Sequence, residues 1–148
     1  AKKAGTYWVP PYNHEQVIAG QGTAAYEALS DLALVGDRNI DAVFAPCGGG
    51  GILSGTLISA RGLSPTTKVI GAEPLSGNDA AQSLRCGEIV RLPEQPKTLA
   101  DGAMPLSVGD ITFEYLRQLD EFYEIEAGVF PLAFDPSSID SEIYEETF

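Results

Sequence analysis

Basic residues are scarce: nine Lys and Arg stand against 21 Asp and Glu, for a net charge of −12. A surface of that sign repels phosphate backbones, which excludes the common modes of nucleic-acid binding. It disfavours anionic membrane surfaces for the same reason. Long apolar runs are missing as well, so nothing reads as a membrane span, and no basic segment followed by an apolar one opens the sequence. Cysteine is limited to Cys47 and Cys86, too few for a disulfide framework, and no Asn-x-Ser/Thr acceptor occurs. These absences together lead to the expectation of a cytoplasmic protein. His14 is the only histidine, and G-x-S-x-G is absent, which leaves a Ser-His-Asp triad little to stand on. A surface or packing role is the expectation for His14.

What is present is ordinary for a soluble α/β protein: 148 residues, 44% hydrophobic and 20% charged. That length suits one domain with a sizeable core. The opening AKKAG reads as the last turn of a helix, with Lys2 and Lys3 at its C-terminal end and Gly5 as a stop signal. It implies a fragment or a module that continues something upstream.

Short strands are expected over TYWVP (6–10), DAVFAPC (41–47), TKVIGAEP (67–74) and EFYEIE (121–126). Helices are expected over 20–36, with Thr23 as N-cap and Gly36 as its end, and over 50–63. Two more are expected over 77–87, opened by Asn78 or Asp79 and stopped by Gly87, and over 109–119, opened by Asp110. Strands that alternate with helices imply a parallel sheet covered on both faces.

The stretch PCGGGGILSG (46–55) places four consecutive glycines between a strand and a helix. A turn without Cβ atoms lets backbone N–H groups converge on an anion, and the following helix adds its positive dipole end. The Lys-Ser/Thr pair of a Walker A loop is absent, and the G-x-G-x-x-G spacing is broken. A phosphate cradle is one reading; a tight turn without ligand is the other. Cys47 abuts this loop, where a helix N-terminus would lower a thiol pKa, although packing as a small apolar residue is the plainer role. Tyr7, Trp8 and Tyr12 read as core or loop packing residues.

PCGGGGILSG resembles the tetraglycine loop of the fold-type II pyridoxal-phosphate enzymes, in particular the threonine/serine dehydratase and serine racemase family, which is tryptophan synthase beta-like. Four further stretches resemble that family in the same order: PPYNHEQVIAGQGTAAYE (10–27), VIGAEPLSGNDAAQSLRCGEIV (69–90), KTLADG (97–102) and GDITFEYLRQLDEFYEIE (109–126). The resemblance implies a three-layer α/β/α sandwich with a mostly parallel sheet. Residues 1–126 would be a partial pyridoxal-phosphate-binding domain, and 127–148 a divergent tail, an extended segment plus a short helix. It implies that Gly48, Gly49, Gly50 and Gly51, with the Ile52 amide, hold the phosphate of pyridoxal 5'-phosphate, and that Gly102 lies near its ring. It also implies Glu73, Asp79 and the Gly77 carbonyl as ligands of a divalent cation, Mg²⁺ or Mn²⁺, with Ca²⁺ a further candidate for such oxygen donors. The plainer reading of Glu73 and Asp79 is a strand-end carboxylate and a helix N-cap.

Two departures matter. The family's Schiff-base lysine sits in a Ser-x-Lys context, which none of Lys2, Lys3, Lys68 and Lys97 has. The tail AGVFPLAFDPSSIDSEIYEETF (127–148) does not follow the family pattern. The resemblance therefore implies part of an amino-acid lyase performing α,β-elimination of hydroxy amino acids to a 2-oxo acid and ammonia, inactive as an isolated chain. It would act with a complementary chain or as a homodimer. The other expectation is a non-catalytic α/β module that self-associates or binds a protein partner.

Overall fold

Two apolar runs without strict alternation, AVFAP and KVIGAEP, become adjacent parallel strands, of which KVIGAEP is the one buried on both faces. In the computed structural model, which describes residues 5, 7–36 and 40–126, β1 is Ala42–Pro46 and β2 is Lys68–Pro74. A third strand, β3 (Glu121–Ile125), completes a parallel sheet of order β1-β2-β3. Ala42 pairs with Lys68 and Pro46 with Ala72, while Ile70 pairs with Glu121 and Pro74 with Ile125. Val69 and Ile70 of the central strand are both buried. The start of β3 is held by Asp120, whose Oδ2 accepts the Val69 N–H at 2.7 Å and pairs with Arg61 at 2.8 Å.

Helices α1 (Glu15–Gln21), α2 (Thr23–Leu34), α3 (Gly51–Leu63), α4 (Asp79–Cys86) and α5 (Asp110–Leu116) connect and cover the strands. The centre is α3. Leu53, Leu57 and Ala60 pack with Val69, Phe113 and Leu116 into one core. On its other side α3 meets the α1–α2 junction so closely that a Cβ on Gly55 would lie 2.5 Å from the Gly22 nitrogen and 2.6 Å from the Ile18 carbonyl oxygen. Ser59 Oγ donates to the Gly22 carbonyl at 2.8 Å and fixes that junction.

All four expected helices and three of the four expected strands are present. Residues 7–10 are not a strand: Tyr7 and Trp8 are 78% and 67% exposed. β-propensity is realised only against a neighbouring strand, and among the described residues this segment has none. The expectation that Tyr7 and Trp8 pack into a core or loop is corrected with it. The helix expected from residue 20 is two helices, α1 and α2, divided at Gly22. Thr23 is not an N-cap but the first residue of α2, its Oγ1 donating to the Gly20 carbonyl at 2.7 Å. Gly36 does end α2, at φ 87°. Asp110 is the first residue of α5, not its cap, because Asn13 and Thr112 serve the helix-end amides instead. Among the described residues, Phe44 and Tyr123 are left exposed on the sheet face opposite α3. Lys2, Lys3 and the tail 127–148 lie outside the described residues.

Replacing Gly55 by Ala inserts a methyl into backbone. Gly55→Ala is expected to destabilise the chain by about 1–3 kcal/mol, read from urea unfolding.

Candidate functional site

The glycine loop leaves β1, turns at Gly50 and enters α3. Gly50 has φ 92°, and a Cβ there would lie 2.9 Å from Thr112, so both conformation and space require glycine. A Cβ on Gly49 would collide with the Tyr12 ring, and one on Gly48 with the Gly102 carbonyl oxygen. The expected site residues Gly48, Gly49, Gly50, Gly51, Ile52 and Gly102 therefore come together, around a cavity of about 590 Å³. That volume lies within the usual range for cofactor and small-molecule sites, roughly 300–1,000 Å³. Tyr12, Gln21 and Asp101 also line it.

The loop's polarity lies in its backbone. Among the described residues, the N–H groups of Gly48 to Leu53 donate to no protein acceptor. They are the orphan donors of a strand end and a helix first turn, the arrangement that receives anions. Three side chains brace the rim: Tyr12 Oη donates to the Ser107 carbonyl at 3.2 Å, Gln21 Nε2 to the Pro11 carbonyl at 3.0 Å, and Thr112 Oγ1 to the Gly49 carbonyl at 2.8 Å. Sequence reasoning left Gln21 and Thr112 unassigned and gave Tyr12 only packing. All three lie inside the stretches that carry the resemblance, but their roles depend on contacts as distant as 95 residues along the chain.

No lysine lines the cavity among the described residues. Lys68 pairs with Glu121 at 2.9 Å, and hydrogen bonding and charge from that carboxylate raise its pKa. Lys97 offers its carbonyl to Ser76 at 3.1 Å. His14 caps α1, its Nδ1 accepting the Gln16 N–H at 3.2 Å, in keeping with a surface role.

Glu73, Gly77 and Asp79, the other expected set, are all buried where β2 passes into α4. Asn78 occupies the cap position of α4 but its side chain makes no capping bond. Glu73 does that work, its two oxygens accepting the N–H groups of Ala81 at 2.7 Å and Ala80 at 3.3 Å. Asp79 does not cap the helix; its Oδ2 is buried without a partner. Burial, opposed by the helix amides and reinforced by Asp79, pushes the Glu73 pKa to about 8; burial raises that of Asp79 to about 6. Cys47 is buried, and its thiol pKa is raised, first by burial and then by the charges of Glu73 and Asp79. The lowered thiol pKa that its place beside the loop permits is therefore corrected, and packing is its role. Among the described residues, no three His, Cys, Asp or Glu side chains converge on one point. A site there would combine the two carboxylates with the Gly77 carbonyl.

A sequence profile described as "Pyridoxal-phosphate dependent enzyme" matches residues 1–128. The L-threo-3-hydroxyaspartate ammonia-lyase of Saccharomyces cerevisiae is 48% identical over 118 residues, 80% of this chain and 34% of that protein. The serine racemase of Schizosaccharomyces pombe is 42% identical over 118 residues, 80% of this chain and 35% of that protein. Among solved structures, the T.th. threonine deaminase superposes with a TM-score of 0.84 at 41% identity, covering 89% of this chain and 44% of that one. The chain spans about a third of the length of the curated relatives it matches.

The buried carboxylates set a pH dependence. A Glu near 4.5 when unfolded and about 8 when folded makes the folded state the better proton binder, so stability is fully present below the lower value and is lost as pH rises through the upper one. Asp79 acts in the same sense but completes its loss near pH 6. The carboxylates with lowered pKa values, Asp110, Asp120, Glu121 and Glu124, act only on the acid side. In chelator, the urea midpoint is expected to fall between about pH 6 and 8, and Glu73→Gln should flatten that slope. An unchanged slope in Glu73→Gln would place the dependence elsewhere.

Proposed function

The chain belongs to the pyridoxal-phosphate-dependent enzyme family, and from that premise we propose that it forms the cofactor-phosphate side of an amino-acid lyase of the threonine/serine dehydratase type. One observation carries the reading: the unpartnered amides from Gly48 to Leu53 belong to a loop that lines a cofactor-sized cavity at the start of α3. In this reading Gly48, Gly49, Gly50 and Gly51, with the Ile52 amide, hold the phosphate of pyridoxal 5'-phosphate, and Gly102, packed on Gly48, borders the ring. Bound there, the cofactor supplies the electron sink for α,β-elimination of a hydroxy amino acid to a 2-oxo acid and ammonia.

The chain's own contribution is to bind and orient. Backbone dipoles neutralise the phosphate, and Tyr12 fixes the loop by packing on Gly49. Moving a proton at the substrate Cα calls for a base, and no described lysine reaches the cavity. In this reading, turnover draws on a lysine outside the described residues, from a complementary segment or a second copy of the chain. Glu73, Asp79 and the Gly77 carbonyl fit a divalent cation, Mg²⁺ or Mn²⁺, because the unpartnered Asp79 oxygen and the Glu73 lone pairs are hard donors in one buried place. A cytoplasmic location belongs to the same reading; among the described residues no helix is long and apolar enough to cross a membrane.

A second reading, a non-catalytic module that binds a partner, is favoured by the exposed Phe44 and Tyr123 on one sheet face.

Two measurements test the proposal. Incubation with pyridoxal 5'-phosphate, borohydride reduction and peptide mapping should give saturable binding that inorganic phosphate competes away, with no single lysine modified stoichiometrically. One stoichiometric lysine adduct would overturn the need for another segment, and absence of binding would overturn the cofactor role. Adding Mn²⁺ at tenfold its Kd should raise Tm by roughly 4 °C, a shift that Asp79→Asn abolishes.

A further inference from the structure

A phosphate cradle works only if its peptides are turned the right way, and a tetraglycine loop has little of its own to prevent a peptide flip. The structure supplies an external restraint on one peptide. The Gly49 carbonyl accepts a hydrogen bond from Thr112 Oγ1 at 2.8 Å and a longer one from the Gly109 N–H at 3.4 Å. Thr112 Oγ1 in turn accepts the Gly109 N–H at 3.0 Å, and it is fully buried; the Gly109 carbonyl, at 3.1 Å, is a longer alternative acceptor for its proton than the Gly49 carbonyl. In a trans peptide the carbonyl and the next N–H point in opposite directions. Holding the Gly49 oxygen on the α5 side therefore sends the Gly50 N–H away from α5, toward the cavity that Gly49 and Gly50 line and Thr112 does not.

We infer that Thr112 is the positioning residue that sets the Gly49–Gly50 peptide, and through it the strength of phosphate recognition. This rests on the cofactor-phosphate reading above. The latch is itself anchored. Asn13 Oδ1 accepts the Ile111 N–H at 3.0 Å, and its Nδ2 donates to Asp110 Oδ1, so the start of α5 is tied to the segment that carries Tyr12. Tyr12 packs its ring on Gly49. Residues 12–13, 49–50 and 109–112 form a closed circuit around one peptide. The hydroxyl is the essential group: valine keeps the shape of threonine but neither donates to the Gly49 carbonyl nor accepts from Gly109. A flipped Gly49–Gly50 peptide would present a carbonyl oxygen to the phosphate, replacing an attraction with a repulsion.

The test compares binding of pyridoxal 5'-phosphate and of pyridoxal to the full chain by equilibrium dialysis. The wild type should prefer the phosphorylated form at least tenfold; if it shows no preference, the cofactor-phosphate reading itself fails. With that preference in hand, Thr112→Val should lose about tenfold in affinity for pyridoxal 5'-phosphate and little for pyridoxal, while Thr112→Ser restores the wild-type ratio. A Thr112→Val ratio equal to the wild type's overturns the inference, as does failure of Thr112→Ser to restore it. Thr112→Ala makes the same comparison without the valine methyl beside Gly50 and serves if Thr112→Val does not fold. In the wild type, NMR should show the Gly50 amide proton moving downfield when pyridoxal 5'-phosphate is added. A Gly50 amide that stays in place while its neighbours move would also overturn the inference.

Discussion

Direct backbone-to-backbone approach around α3 is the constraint on which the rest depends. Gly22 lies on Gly55, and Gly48 lies on Gly102. Each contact removes the side chain that would otherwise separate two segments, so the α1–α2 junction and the 100–105 segment close on the two ends of the glycine loop and the first half of α3. The conformational entropy that glycine loses on folding is the cost of such contacts. Here it is offset by burial of Leu53, Leu57 and Ala60 directly behind them. The cavity follows from the same geometry: with no side chains on the loop, space and unpaired amides are left where four β-carbons would have stood.

The charge distribution gives those amides their significance. A chain of net charge −12 is a poor general host for an anion, and no described lysine or arginine lines the cavity. Any anion there is recognised by backbone dipoles and the helix start, which act at short range and depend on orientation. Such a site rejects anions that do not fit closely, because no long-range attraction compensates for lost hydrogen bonds. It also explains why the bracing of single peptides matters more here than in a lysine-rich site, where a point charge tolerates small errors of angle.

The sequence announced the sheet and its helices because β1 and β2 are apolar runs bounded by turns, and α3 follows glycines that no regular element would tolerate. The tetraglycine loop stood out for the same reason, whereas Gly102 came from the family resemblance alone. Caps were less so. Asp110 and Thr23 carry the right side chains for capping, but the helix ends are served by Asn13, Thr112 and Glu73, all of them remote from or within the helices they serve. Local propensity cannot register a carboxylate that reaches a helix from the preceding strand. Tyr7 and Trp8 were misread from the opposite side, since among the described residues their β-forming character has no neighbouring strand to act on.

In the proposed reading, Glu73 would combine helix capping with metal binding at one residue. A carboxylate has about four lone-pair sites, and the amides of Ala80 and Ala81 take one on each oxygen. Asp79 Oδ2 is buried without a partner, and burial, reinforced by the Asp79 charge, raises the Glu73 pKa to about 8. A divalent cation reverses that balance, because its charge favours ionised ligands and removes the desolvation cost that raised both pKa values. The amides of Ala80 and Ala81 would stay on Glu73 while the proposed cation drew on its other lone pairs. Capping needs only Glu73; the backbone amides of Asp79 and Val108 act on the second buried carboxylate, and its unpartnered Oδ2 is the atom that the proposed cation would engage.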